Sequence, residues 1–245
     1  MSTPLAILRF VYSLLCYALG VASLLYFIAF VNDIWLSKTV NTLVEPESVL
    51  LAVLINLFAI SLFGVQHSVM ARGAFKRWLT KVLHPSMERS TYVLATAVAI
   101  GAMGYLWVPF GSVVWQVESE SAVALIRAVA VFGWAFLLLA TFMLNHFELF
   151  GLSQTFMPLS GKPMPTPRFK TPGLYKIVRH PIQTGVLIGM WAVPVATTSH
   201  LFFAGGMTAY IVVGLYFEEK DLVREFGQTY RDYMLKVKRV IPFLF

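Results

Sequence analysis

Residues 180–217 read HPIQTGVLIGMWAVPVATTSHLFFAGGMTAYIVVGLYF, with no charged side chain anywhere in the run. A hydrocarbon core of about 30 Å takes about 20 helical residues. The run is too long for one crossing and sufficient for two short helices of about 17 residues each. Thr197, Thr198, Ser199 and His200 supply the turn between them. The stretch therefore predicts a transmembrane helical hairpin.

The rest of the chain has the same character. Of its 245 residues 58% are hydrophobic and 13% charged, and the mean hydropathy is +0.73. A soluble domain is about 45–50% apolar and about 25% charged, so a water-soluble globule is excluded. The fold class is an all-α integral membrane protein. Residues 10–31, between Arg9 and Asp33, form the first span. That run exceeds the apolar region of a cleavable signal peptide, about 7–15 residues, and is read as retained. The second span covers Ser48 to Ala71, the third residues 91–109, ended by Pro109 and Gly111, and the fourth residues 127–147. With the hairpin this makes six crossings. From Leu222 to Val237 the apolar residues Leu222, Val223, Phe226, Tyr230, Tyr233 and Val237 recur at helical spacing among charges, which reads as an amphipathic interfacial helix. Pro158, Pro163, Pro165, Pro167 and Pro172 keep residues 158–172 from forming a regular helix, and their composition favours a linker over an ordered lid. No repeat divides the chain, so residues 1–245 are read as a single domain.

Lysine and arginine set the orientation. With the N-terminus in the cytoplasm, the inner side receives Arg9, then Arg72, Lys76, Arg77, Lys81 and Arg89, then Lys162, Arg168, Lys170, Lys176 and Arg179, and the six cations of the C-terminal segment. Only Lys38 and Arg127 fall outside, among Asp33, Glu45, Glu47, Glu118 and Glu120. This asymmetry predicts a multi-pass protein of the inner (cytoplasmic) membrane with both termini in the cytoplasm. Anionic lipid on that face accounts for the net charge of +7, and no nucleic-acid partner is needed. Cys16, the one cysteine, falls inside the first span, which excludes an intrachain disulfide and Cys-rich zinc or iron–sulfur sites. No metal site is expected, and Cys16 reads as a small buried side chain.

Polar residues cluster at the inner ends of the spans. Gln66 and His67 end the second, Asn145 and His146 end the fourth, Arg179 and His180 open the fifth, and Glu218 and Glu219 close the sixth. Ionisable residues in or beside spans usually face a protein interior or cavity, so agreement on one level points to a shared site. Each also has a plainer reading: a histidine near the headgroups can be an interface anchor, Tyr175 a belt residue, and Asn145 a helix-to-helix hydrogen-bonding group. Successive residues differ by about 100° around a helix, so Glu218 and Glu219 share one pocket only at a frayed end. Histidines at one level also suit a b-type haem, although haem ligands commonly lie within the span rather than beside an arginine and two carboxylates. His200, at the opposite face, and His84, in a loop beside Pro85, are poor candidates.

The C-terminal third resembles the isoprenylcysteine carboxyl methyltransferase type of membrane methyltransferase. The motif stands here as Gly173-Leu174-Tyr175-Lys176-Ile177-Val178-Arg179-His180-Pro181, followed by Glu218-Glu219, Leu222, Phe226-Gly227, Tyr230, Tyr233 and Ile241-Pro242. Gln183 replaces the tyrosine that many of those enzymes carry two residues after the proline. The remainder, including Gln66-His67-Ser68-Val69-Met70-Ala71-Arg72, Glu88-Arg89-Ser90-Thr91-Tyr92 and Asn145-His146-Phe147-Glu148-Leu149-Phe150-Gly151, looks like the methanethiol S-methyltransferases, and NnrU-like membrane proteins share parts of it. The resemblance implies methyl transfer from S-adenosylmethionine to a small thiol, methanethiol, giving dimethyl sulfide. It places the donor site in residues 146–245, on Tyr175, Arg179, His180, Pro181, Glu218 and Glu219. Two alternatives are a larger lipidic or prenylated acceptor and a non-enzymatic haem-binding or accessory protein of the NnrU-like kind.

The residue types suit that donor. Arg179 or His180 can hold its carboxylate, and Glu218 or Glu219 its ammonium or ribose hydroxyls. The helix that Pro181 starts offers backbone N–H groups. Tyr175 can cover the adenine or face the sulfonium through a cation–π contact. A cysteine thiol, with a pKa of about 8.5, is only a few per cent thiolate at neutral pH, so a proton acceptor beside the acceptor sulfur would help. His67 and His146 are the candidates, with Tyr92 as a relay. Methanethiol, small and lipid-soluble, can arrive through the bilayer, whereas the charged donor must come from the cytoplasm.

Overall fold

The computed structural model describes residues 3–166 and 169–242. Pro167 and Arg168 of the proline-rich stretch lie outside the described residues. The first apolar run becomes α1 (Thr3–Val31), which ends before Asp33 and Trp35, both at positive φ. The second, α2 (Val49–Ala71), begins where the Ser48 hydroxyl accepts the Leu51 amide at 3.3 Å, a side-chain cap for an otherwise unpaired N–H. A short α3 (Gly73–Leu79) leads to α4 (Glu88–Leu106). Strand β1 (Val113–Gln116) precedes α5 (Glu120–Leu144), capped by Ser119. The short helices α6 (His146–Leu149) and α7 (Leu152–Leu159) follow. Beyond the proline-rich stretch come α8 (Pro181–Trp191), β2 (Val195–Thr197), α9 (Thr198–Phe226) and α10 (Gln228–Lys236). Among the described residues four helices, α1, α2, α5 and α9, are long and apolar enough to cross a membrane.

Several boundaries differ from those read in the sequence. The two arms expected between His180 and Phe217 are unequal, because α8 stops after 11 residues, about 16 Å, whereas α9 continues for 29. Pro194 cannot continue α8, and the chain after it extends into β2, antiparallel to β1 with Val113 opposite Thr197 and Gln116 opposite Val195. Thr197, expected in a turn, caps α9 by accepting the His200 amide at 3.1 Å. The expected interfacial helix over 222–237 is divided: Leu222, Val223 and Phe226 belong to α9, Gly227 at φ +57° breaks the helix, and α10 takes up Tyr230 and Tyr233. Pro158 sits inside α7. The linker expected for the proline-rich stretch is anchored instead, since the Phe169 ring packs against Phe226, Tyr230 and Tyr233 with centroids 5.4–5.8 Å apart.

Two packing units position the site. On one side α5 and α8 approach with backbones nearly touching: a Cβ on Gly133 would lie 2.5 Å from the Gly189 nitrogen, and one on Gly185 2.6 Å from the Gly133 oxygen. On the other, α4 packs against both α1 and α2. An aromatic core joins the two units, with Phe27, Phe30, Trp107, Trp134 and Phe203 buried together and Met190 among them. Trp107 donates its indole N–H to the Ser199 hydroxyl at 3.0 Å, and Trp134 donates to the Asn32 side-chain oxygen at 3.2 Å. Asn32, Trp107 and Ser199 stand at the β1–β2 end, and a second group of buried polar residues, His180 and Glu219 among them, stands at the opposite, lysine- and arginine-rich end.

Candidate functional site

At that basic end Glu219 is buried, 3% exposed, and its carboxylate is surrounded by donors. Arg179 donates Nε–H to Oε1 at 2.8 Å and His180 Nε2 to the same oxygen at 3.1 Å. Arg239 donates to Oε2 from Nε at 3.0 Å and from Nη2 at 2.6 Å. Arg179 also reaches the Met234 carbonyl at 3.2 Å and the Val237 carbonyl. The backbone repeats the connection, with the amides of Arg179 and His180 donating to the carbonyls of Lys238 and Arg239 at 2.8 and 3.0 Å. The Thr184 hydroxyl donates to the Val240 carbonyl at 2.8 Å. Residues 178–184, α9 and the C-terminal tail are thus tied together around one carboxylate. Two guanidiniums and an imidazole thus converge on one buried carboxylate.

Glu218 faces the other way. Its side chain is half exposed, and Oε2 lies 4.0 Å from His180 Nδ1. A carboxylate can only accept, so His180 donates from Nε2 to Glu219 and turns Nδ1 toward Glu218. Outside the spans, the phenols of Tyr175 and Tyr230 are raised chiefly by burial and further by the Glu218 charge. Tyr175 is buried, with its hydroxyl 3.5 Å from the Ala140 carbonyl and its own carbonyl accepting the Tyr233 hydroxyl at 2.5 Å. Burial, followed by the Glu218 charge, pushes the Tyr175 phenol up, and burial pushes Tyr233 up to about 12. Both remain protonated donors near neutral pH. The Tyr230 hydroxyl is buried with no hydrogen-bond partner among the described residues. Such an orphan costs about 1–3 kcal/mol, and a bound polar ligand would relieve it. Pro181 opens α8 with no side-chain cap, leaving the first-turn amides without a capping oxygen.

The two candidate bases sit in separate pockets, with no contact between them. His67, on α2, stacks on Phe63 at 5.3 Å, and its Nε2 lies 2.8 Å from the Tyr92 hydroxyl of α4. Thr96 Oγ1 stands 3.2 Å from Nδ1, and the Arg89 guanidinium lies over the Tyr92 ring at 4.9 Å. Tyr210 of α9 closes the other side, 6.5 Å from the His67 ring. His146 is enclosed by Phe142, stacked at 4.3 Å, and by Phe147 and Phe150. Its Nδ1 is 2.8 Å from the Thr141 hydroxyl and its Nε2 3.0 Å from the Tyr17 hydroxyl. Thr141 spends its proton on the Leu138 carbonyl at 2.7 Å. Nδ1 of His146 must therefore be the donor, and Nε2 accepts from Tyr17.

Sequence reasoning missed Arg239, Tyr17, Tyr210 and Tyr230 as site components. Tyr17 stands 129 residues from the histidine it touches, a pairing that no local spacing encodes. Arg239 follows a run of tail cations and carries no distinguishing signal. The two histidines set aside in the sequence are structural in appearance. His200 is fully buried at the β1–β2 end, 3.0 Å from the Met190 carbonyl, and His84 caps a short turn through Ser86.

Comparison with known proteins adds the following. The family model described as NnrU protein matches residues 53–241. The chain is 44% identical, over its whole length and 93% of the relative, to Methanethiol S-methyltransferase 2 of Bradyrhizobium diazoefficiens. It is 43% identical to Methanethiol S-methyltransferase 1 of the same organism, over 96% of this chain and 82% of that one. The Methanethiol S-methyltransferase of Mycobacterium tuberculosis is 42% identical over 96% of both chains. No solved structure matches the chain.

Proposed function

This chain belongs to the NnrU protein family and to the methanethiol S-methyltransferases within its reach, and from that membership and the site geometry we propose that it methylates methanethiol to dimethyl sulfide with S-adenosylmethionine as donor. The observation that carries the reading is the position of Glu218. Its half-exposed carboxylate lies 4.0 Å from His180 Nδ1 at the edge of the buried Glu219–arginine cluster, where a charged donor can reach it. The donor half is residues 146–245, and α2 and α4 complete a single functional unit.

Glu218 and His180 Nδ1 receive the ammonium or ribose hydroxyls of the donor, and the guanidiniums of Arg179 and Arg239 stand on the side that receives its carboxylate. The unpartnered Tyr230 hydroxyl and the first-turn amides of α8 supply further donors, and Tyr175 lines the same surface. The bound donor supplies an electrophilic methyl group on a positively charged sulfur. His67 takes the thiol proton, directly or through the Tyr92 hydroxyl, as the new carbon–sulfur bond forms and the electrons of the old one stay with the departing sulfur. Fixing acceptor sulfur, methyl and leaving sulfur in line contributes to the rate without any further group. Joining an anion to a cation destroys charge, which suits a pocket walled by Phe63, Tyr92 and Tyr210.

The chain passes the membrane six times in this reading. The fifth pass combines α8 with the extended residues 192–197, whose polar backbone is paired with β1 and with Asn41 rather than exposed to lipid. The basic end faces the cytoplasm, from which the charged donor arrives. Purified protein given methanethiol and methyl-labelled S-adenosylmethionine should release labelled dimethyl sulfide into the headspace, and calorimetry should show binding of S-adenosylhomocysteine. Label recovered in lipid would move the activity to a larger acceptor. A haem spectrum without nucleoside binding would remove the enzymatic reading altogether.

A further inference from the structure

A concavity lies between α2 and α9, with Tyr210 among its lining residues. Its volume is about 660 Å³, within the range of small-molecule sites, about 300–1,000 Å³. The two helices touch at Gly64, where a Cβ would come within 2.9 Å of the Tyr210 ring. Below that contact they leave a trough lined by Val65, Val69 and Val213, each of them substantially exposed. Gly214 keeps the trough open, since a Cβ there would meet nothing within 4 Å.

The mouth of the trough is cationic. Among its lining residues stand Arg72, Lys220 and Arg224 against the single carboxylate of Asp221. Asp221 is shared, with Arg72 Nη1 at 2.5 Å on one oxygen and Arg224 Nη1 at 3.0 Å on the other. Arg72 also lies over the Phe217 ring at 5.3 Å, and Lys220 over Tyr216 at 4.3 Å. The aromatic faces hold the cations at the rim without neutralising them. An apolar trough within the span and a net positive mouth at its basic end match an acyl chain joined to an anionic headgroup. Basic pockets between transmembrane helices recognise such headgroups.

We propose that the trough between α2 and α9 binds one anionic phospholipid, with an acyl chain against Val65, Val69 and Gly214 and its phosphate among Arg72, Lys220 and Arg224. A zwitterionic lipid of equal chain length fits the trough but gains little at the mouth. Glu218, on which the donor reading relies, is not among the residues that line the trough.

Native mass spectrometry of the full chain in detergent, titrated with phosphatidylglycerol and chain-matched phosphatidylcholine, tests this. The wild type should retain phosphatidylglycerol preferentially. Each Lys or Arg near an anionic surface is worth about fivefold in affinity, so K220Q/R224Q should weaken phosphatidylglycerol about 25-fold and leave phosphatidylcholine unchanged. Gly214→Phe fills the trough without touching the cations and should reduce retention of both lipids. Full phosphatidylglycerol retention in Gly214→Phe would reduce the site to surface charge attraction and overturn the proposal. A preference that survives K220Q/R224Q would overturn it equally.

Discussion

Replacing Glu219 with glutamine keeps the shape of the side chain and removes its charge. Arg179 Nε, His180 Nε2 and both Arg239 nitrogens now converge on it at 2.6–3.1 Å. Glutamine offers one acceptor oxygen where the carboxylate offered two, and its NH₂ group points a donor at donors. Breaking a buried ion pair by removing one partner costs about 3–5 kcal/mol, and here two guanidiniums lose the partner. A chain of this size shifts its melting temperature by about 2–4 °C per kcal/mol, so Glu219→Gln should lower it by about 6–20 °C. Glu218→Gln is the contrast. That side chain is half exposed and stands 4.0 Å from its nearest charged partner, so its removal should change stability by no more than about 0.5 kcal/mol. It should cost donor affinity instead: a hydrogen bond to a charged group is worth about 1.5–3 kcal/mol, a roughly 10- to 150-fold loss. Thermal melts in detergent and calorimetry with S-adenosylhomocysteine read the two quantities separately. Equal destabilisation by the two variants, or unchanged nucleoside affinity in Glu218→Gln, would refute this division of labour.

Three further outcomes are expected. Tyr92→Phe and His67→Gln should lower turnover by about 10²–10⁴-fold, the usual contribution of acid–base catalysis, while S-adenosylhomocysteine binds as before; full activity in both removes His67 as base. His146 satisfies the Tyr17 hydroxyl inside an aromatic cage, so His146→Ala should lower stability by about 1–3 kcal/mol through the hydroxyl left unpaired; an unchanged melting temperature in detergent would contradict it. Gly133→Val forces a side chain into the backbone of α8 and should cost at least the 1–3 kcal/mol typical of overpacking, seen as a lower melting temperature. A silent Gly133→Val would mean that α5 and α8 can separate freely.

The sequence was legible wherever a property depends on runs or on short spacing. The long uncharged stretches show four helices fit to span a membrane, and the Arg179-His180-Pro181 segment with Glu218-Glu219 marks two pieces of chain that meet in the fold. Position along the chain did not say which glutamate turns inward. Adjacent residues on a continuous helix point about 100° apart, and α9 runs unbroken to Phe226, so one of the pair had to be buried and the other left facing outward. Had the helix ended at Phe217, as the charge pattern suggested, both could have turned to one side. The continuation of α9 past its apolar part is therefore what separates a structural carboxylate from one free to meet a ligand. That continuation depends on Glu219 finding Arg179 and Arg239, residues whose approach is set by the tail folding back on residues 178–180. The same logic applies to the two histidines. Either could serve as a base on composition alone, and in the fold both have hydroxyl partners on each nitrogen, His146 from Thr141 and Tyr17 and His67 from Thr96 and Tyr92. The tautomer of His146 is fixed, because Thr141 spends its proton on Leu138. The Thr96 and Tyr92 hydroxyls beside His67 can each donate or accept, so either nitrogen of that ring is able to take up a proton and return it, which is what the proposed base requires.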